Sequence, residues 1–441
     1  MTRPNPAIPA IASQDPTDKI PLYTWYVLGL LILVNAINFM DRWSISVLVE
    51  YIKADLQLTD TEIGLLTGAA FSVGYSVSAL PIAWLADRGN RRNILAAALT
   101  VWSVMTGFTG LAQNFWQIIV ARVGTGAGES GCIPTGQSII SDLFPKEKRP
   151  FALSLFSSGV MLGKVLGIGG AGILVALYGW RATLLILAVP GLLVALLVRL
   201  TMKDPPHGQF DGFVANAAPV ATWPAFRALF TTPSYMLICV ALAFSNLVIF
   251  GLQNWVPAFY MRSHGLSAAQ IGSIIAVVVG LGGAFGLIAG GYLTQRLMTR
   301  DPRWAPWLAA MCHSVACGCS VLSYMVADAT LSLLLFGLSA IILSVSTGGV
   351  FATIHNTVDP RIRALAVAFM TLLTSIIGLG GGPLIVGALS DHFTAQYGSH
   401  GLRQASIAVA SLHVLPAIFY LWSARALLAD LAARASVRVE N

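Results

Sequence analysis

The chain reads as an all-α membrane protein, with twelve transmembrane helices in two six-helix halves and both termini cytosolic. Three observations predict this fold. Hydrophobic residues make up 56% of the 441 positions and charged residues only 10%, with a mean hydropathy of +0.75, whereas soluble domains carry about 25% charged residues. Twelve apolar runs approach or exceed the length of about 20 residues that a span needs. Basic residues fall overwhelmingly on one face of the zigzag those runs imply.

Residues 1–21 are polar, carry Pro4, Pro6, Pro9, Pro16 and Pro21, and lack the basic-then-apolar layout of a signal peptide. They are expected to form a disordered cytosolic tail. Spans follow at 24–50, 62–86, 93–112, 115–142, 151–177 and 181–200, giving an N-terminal bundle over 22–200. The longest non-apolar stretch, 201–232, holds Pro205, Pro206, Pro219 and Pro224 and runs up to Pro233. It predicts a cytosolic linker, with a short amphipathic piece near Trp223–Phe230 on the membrane surface. Spans at 234–260, 268–295, 305–326, 329–355, 363–390 and 402–425 give a C-terminal bundle over 233–428, before a cytosolic tail at 429–441. Trp25, Tyr26, Trp116, Trp180, Trp304 and Trp422 lie near span ends, as interfacial aromatic belts do.

Of the 26 Lys and Arg residues, 19 fall in the tails and even-to-odd loops, and four (Lys53, Arg181, Arg262 and Arg403) on the other face. The positive-inside rule then puts both termini in the cytosol. It also accounts for the net charge of +7 without a nucleic-acid partner. The short loops and termini suggest a bacterial inner membrane, and a monomer is expected.

The halves repeat. Ile63, Gly64, Gly74, Leu85 and Arg88 recur as Ile271, Gly272, Gly282, Leu293 and Arg296, each offset by 208 positions. Asp41-Arg42-Trp43 is echoed by Gln253-Asn254-Trp255, and Arg149 by Arg363. Parallel repeats related by an axis along the membrane normal are the plan of a rocking transporter with its site between them. In this plan one cavity wall is charged and the other neutral but hydrogen-bonding, which suits an anionic head group joined to something less polar.

Five charged side chains lie inside spans: Asp41, Arg42, Arg122, Glu129 and Lys164, all in the first half. A charge at mid-membrane costs roughly 2.5–3.5 kcal/mol on insertion scales, so five of both signs point to a polar pathway or pocket. Helical rise puts Asp41 and Arg122 near one level and Glu129 deeper toward the cytosol. The expected arrangement is a stack, Asp41 facing Arg122 with Glu129 below. Lys164 has two readings: a partner for Glu129, or a lysine snorkelling to the cytosolic interface. Gly126-Ala127-Gly128-Glu129-Ser130-Gly131 fits the dinucleotide-binding spacing but lies within one apolar helix, where that motif needs a strand before it and a helix after it. Cys312-His313 with Cys317 and Cys319 matches no standard zinc spacing and reads as helix packing. No metal, cofactor or catalytic residue is expected.

The run Asp87-Arg88-Gly89-Asn90-Arg91-Arg92 resembles the signature loop of the major facilitator superfamily, and the resemblance covers nearly the whole chain. It implies gating roles for Asp87, Arg88, Arg91, Arg92 and Arg149. Gln295 replaces the usual acid in the second copy of that loop. Within the superfamily, Asn38-Phe39-Met40-Asp41-Arg42 is similar to the Spinster-type lysolipid transporters. So are Arg122, Gly128-Glu129-Ser130, Pro134 and Ser141-Asp142-Leu143-Phe144-Pro145. The resemblance implies a secondary transporter of lysophospholipids or sphingosine phosphate, working by alternating access, and a desolvated carboxylate that can gain a proton beside an arginine that cannot lose one adds the expectation of a driving proton gradient. Asp41 and Glu129 would carry the proton, and Arg42 and Arg122 the anion. The superfamily's cavity-lining helices add Gln253 and Asn254 as substrate contacts, with Asn246, Trp255 and His355 as further candidates. Hydrogen bonding between helices is the plainer reading of these polar residues. Symporters of small organic anions also carry an Asp-Arg pair in the first helix, so that substrate class stays open. A non-transporting membrane sensor is a more distant alternative.

Overall fold

The structure, a computed structural model, describes residues 20–206, 227–358 and 362–439. Most of the expected tail at 1–21, the linker over 207–226 and the side chains of Asp87 and His355 lie outside the described residues.

Among the described residues there is no strand, and nearly every position is helical. The helices of the first half are α1 (Leu22–Leu56), α2 (60–88), α3 (Arg91–Leu111), α4 (115–143), α5 (149–178) and α6 (180–201). Those of the second half are α7 (Pro233–His264), α8 (268–298), α9 (Trp304–Met325), α10 (Ala329–Thr357), α11 (363–397) and α12 (401–439). Nine stretches of the described chain are long and apolar enough to cross a membrane. Two of them, 149–201 and 365–432, each turn back once. The first turns at Gly179 (φ 75°) and the second at Gly398 (φ 55°), backbone angles that glycine adopts without steric cost.

The breaks have identifiable causes. Pro134 lacks the N–H that would reach the Ser130 carbonyl, and α4 opens into a turn at Ser130–Gly131, beside Glu129. Pro416 does the same to Leu412, and α12 breaks at 412–413.

The repeat extends into backbone detail. Before α2, Gln57 is left-handed (φ 53°) and Thr59 and Glu62 form a capping box. Before α8, Gly265 is left-handed (φ 67°) and Ser267 and Gln270 form the same box. All three pairs keep the 208-residue offset. One π-helical stretch sits in each of α2, α5, α8 and α11.

Those four helices join the halves, α2 against α11 and α5 against α8, and glycine makes the approach possible. A Cβ on Gly64 would lie 2.5 Å from the Pro383 carbonyl, and one on Gly387 2.2 Å from that of Asp60. Across the pseudo-axis, Gly272 meets the Ile168 carbonyl and Gly172 that of Ala268. One apolar core lies within each half, and a third, including Trp43, Ile168, Leu247, Trp255, Ile271 and Val386, spans the interface. The inter-half ion pairs cluster at the end carrying residues 50–62, 262 and 391, opposite the basic loops.

Candidate functional site

The buried charges gather between α1, α2, α3 and α4. Asp41, Arg122 and Glu129 are 4%, 4% and 1% exposed. Arg42 donates through Nε and Nη2 to one oxygen of Glu129, at 2.9 and 2.7 Å. Asp41 instead accepts the Thr106 hydroxyl of α3. Among the described residues no hydrogen bond or ion pair engages Arg122, and its Nε is buried without a partner. The other Glu129 oxygen is likewise unpartnered.

This corrects the expected stack. Glu129 pairs with Arg42, and Asp41 makes no ion pair with Arg122. The reason is angular: successive residues on a helix point about 100° apart, so Asp41 turns to α3 while Arg42 turns to α4. Aromatic rings complete the site. The Arg42 guanidinium carbon lies 4.9, 5.0 and 5.2 Å from the ring centres of Phe39, Phe71 and Tyr75. Arg122 lies 5.0 Å from that same Phe71 ring. Phe71, Tyr75 and Thr106 went unnoticed in the sequence because a lone aromatic or threonine in an apolar helix carries no signal until the facing cation is known.

Lys164 takes neither expected position. Its ammonium sits 4.9 Å over the Trp43 ring, and Trp43 stacks on Phe250 of α7 in the other half. In the second half, Gln253 and Asn254 are half-buried and the Asn254 side-chain oxygen has no partner. Asn246 packs against Gly378. Among the described residues no side-chain hydrogen bond joins these three amides to other helices. Trp255 is buried and donates to the Pro383 carbonyl at 3.0 Å, which ties α7 to α11 and takes its polar edge out of any cavity. His313 is core, bonded to Ser245 at 3.2 Å and to His413 at 3.1 Å.

The residues expected to gate are engaged within the first half. Arg91, fully buried, binds Asp142, Asp204, Ser138 and the Pro205 carbonyl. It thereby ties α3 to α4 and to the start of the linker. Arg92 reaches the Met202 carbonyl, Arg88 stacks over Trp84, and Arg149 donates to the Phe144 carbonyl.

A second charged cluster, absent from the sequence reading, closes the opposite end. Arg262 of α7 binds Glu50 at 2.6 and 2.9 Å and Asp60 at 2.7 and 2.8 Å. Asp60 also holds Lys53 and the Ser390 hydroxyl, and Asp391 caps the α2 start by accepting the backbone N–H groups of Asp60 and Thr61. The four basic residues on this face are all neutralised or tied down. Lys53 and Arg262 share Asp60, Arg181 meets Asp55, and Arg403 donates to the Tyr324 carbonyl. Between α2 and α11 a mostly apolar cleft of about 340 Å³ is lined by Ser72, Ser76, Val77, Ile376, Gly380 and Leu384.

Two pseudo-symmetric helical bundles, closed against each other at one end and carrying buried charge at mid-depth, define a multi-pass membrane transporter. The chain belongs to the Major Facilitator Superfamily, whose family model matches residues 31–383. It is 33% identical over 407 residues to an MFS-type efflux pump of Mycolicibacterium smegmatis, covering 92% of this chain and 94% of that one. It is 26% identical over 405 residues to the hexuronate transporter of Bacillus subtilis, covering 90% and 94%. It superposes with a TM-score of 0.85, at 29% identity, on the crystal structure of a bacterial homologue of the human lysosomal transporter Spinster in an inward-facing, unoccupied conformation. That match covers 93% of this chain and 98% of the other. The protein is therefore an integral multi-pass transporter, not an enzyme, and in a bacterium belongs to the inner membrane.

Proposed function

We propose that the protein is a proton-coupled secondary transporter of an amphipathic anion, a lysophospholipid or related lysolipid, with both termini cytosolic. The observation that carries this reading is Arg122: a buried arginine without an anionic partner, beside two carboxylates that are engaged elsewhere. Arginine keeps its proton, and a buried carboxylate can take one up. Protonating Glu129 releases Arg42, and Arg42 and Arg122 then flank the Phe71 ring as two forks for one phosphate. Substrate and proton are linked because the phosphate and the ionised Glu129 carboxylate compete for Arg42, and protonation removes that competitor. The apolar cleft between α2 and α11 offers the acyl chain a path to the bilayer. The likeness of the Asp41-Arg42 and Glu129-Ser130 segments to Spinster-type transporters supports a lipid substrate, and the match to a bacterial Spinster homologue agrees with that likeness. The hexuronate relative supports a small organic anion as the second reading.

The test is flux of labelled lysophospholipid in proteoliposomes, with and without an imposed pH gradient, beside Glu129→Gln. Gradient-driven flux that disappears in the variant supports the proposal. Folded protein without lysolipid flux, but with uptake of a sugar acid, selects the second reading.

A further inference from the structure

Lys164 is a buried-region cation for which the arginine–carboxylate site has no use. It lies one turn before Ile168, whose carbonyl touches Gly272 of the second half. Gly163 and Gly167, on either side of it, are seated against the Ala36 and Met40 carbonyls of α1. α5 therefore cannot rotate to carry Lys164 away from the interface. The ammonium rests on Trp43, and Trp43 rests on Phe250, so the cation stands where the two halves meet. Among the described residues no carboxylate lies within 4.0 Å of it and no acceptor takes its hydrogens. A cation–π contact offsets only part of the cost of holding a charge at this depth.

The in-span charges comprise three cations (Arg42, Arg122 and Lys164) against two carboxylates (Asp41 and Glu129). Gln253 and Asn254 on the facing half add no charge. Protonating one carboxylate leaves two cations uncompensated. A head group with two negative charges balances that state, and a zwitterion does not.

We propose that Lys164 is a second anion contact of the transport site, which selects amphipathic phosphomonoesters over zwitterionic phosphodiesters. This rests on the anion-transport reading above. Arg122 would hold the phosphate from one side of α1. Lys164 would reach it, or a second acceptor on the same head group, from the other side as the halves close on the ligand.

The experiment measures thermal stabilisation of the purified full chain by dodecyl phosphate and by dodecylphosphocholine, which share one alkyl chain length. Wild type, Lys164→Gln and Lys164→Arg are compared. One charge-assisted contact corresponds to about a tenfold change in half-maximal concentration. The monoester should act at about tenfold lower concentration than the phosphocholine on wild type. Lys164→Gln should abolish that preference by weakening the dodecyl phosphate response about tenfold, and Lys164→Arg should restore most of it. Equal potency of the two amphiphiles on wild type overturns the proposal even if a variant fails to fold. A Lys164→Gln response to dodecyl phosphate within about twofold of wild type overturns it too. Flux of labelled lysophosphatidate by wild type separates the two readings. Selective binding without flux leaves Lys164 as an anion contact and removes lysolipid transport.

Discussion

Asp60→Asn should open the closed end of the transporter. Asp60 is 1% exposed and stands at the centre of the network there, holding Arg262 through two hydrogen bonds, Lys53 and Ser390. Arg262 and Ser390 lie in the second half and Glu50, Lys53 and Asp60 in the first, so every bond of the network except Lys53–Asp60 exists only while the halves touch. The substitution removes the charge and keeps the shape. Hydrogen bonds to charged groups contribute about 1.5–3 kcal/mol each. Arg262 keeps Glu50 as a partner, and its side chain and that of Lys53 are 20% and 31% exposed, so solvent screens part of the loss. A net destabilisation of about 2 kcal/mol shifts the open population about 30-fold. Labelling reads this directly. In a background lacking Cys132, Cys239, Cys312, Cys317 and Cys319, Val386→Cys places a thiol on α11 at a position with no exposure in the closed form. A membrane-impermeant thiol reagent added from that side should react about 30 times faster in Asp60→Asn. Rates within twofold of the parent would falsify the claim that this network holds the end shut.

Three further outcomes follow from the same contacts. Glu129→Gln frees Arg42 permanently, so gradient-driven flux should fall at least tenfold while substrate exchange without a gradient persists; unchanged gradient-driven rates in this variant and in Asp41→Asn sink proton coupling. Arg91→Ala leaves Asp142 and Asp204 without their shared cation, a loss of about 3–5 kcal/mol, and should appear as a lower melting temperature and poor recovery of folded protein. Gly387→Val drives a side chain into the Asp60 carbonyl, so it should raise Val386→Cys labelling as Asp60→Asn does, but independently of salt, whereas the Asp60→Asn effect shrinks relative to its parent at high ionic strength.

The sequence made the helices legible because hydropathy along one strand of chain is a local property. Expected starts at 93, 268 and 305 fall within two residues of the observed starts of α3, α8 and α9. The repeat was legible at Ile63-Gly64 and Ile271-Gly272 for the same reason, since each glycine is required by its own close contact. Pairing between helices was not local. Spacing says that Arg122 and Glu129 share a face, but not which neighbour meets it, and the 100° between Asp41 and Arg42 sent the two side chains to different helices. The closed-end network stayed hidden because its members look ordinary one by one. Asp60 reads as a helix-start residue beside a capping box, and Arg262 as one of four basic residues on the sparsely charged face. Their partners in the opposite half lie 202 to 331 positions away in the chain.

The two charged clusters divide the work of transport by where their members sit. Asp41, Arg42, Arg122 and Glu129 all belong to the first half, so moving a proton among them exerts no direct pull across the interface. Arg262 and its partners belong to different halves, so breaking them releases the interface without touching the site. A protonation event can therefore move the halves only through something that reaches both, and the groups available on the far side are neutral amides and Phe250. A ligand with a charged end for the arginines and a body for the opposite wall supplies that bridge. Under the proton-coupled reading proposed above, the confinement of charge to one half would be a physical reason for coupling. An empty, protonated site would then have cations to satisfy but no means to draw the second half over them, and only a loaded site would.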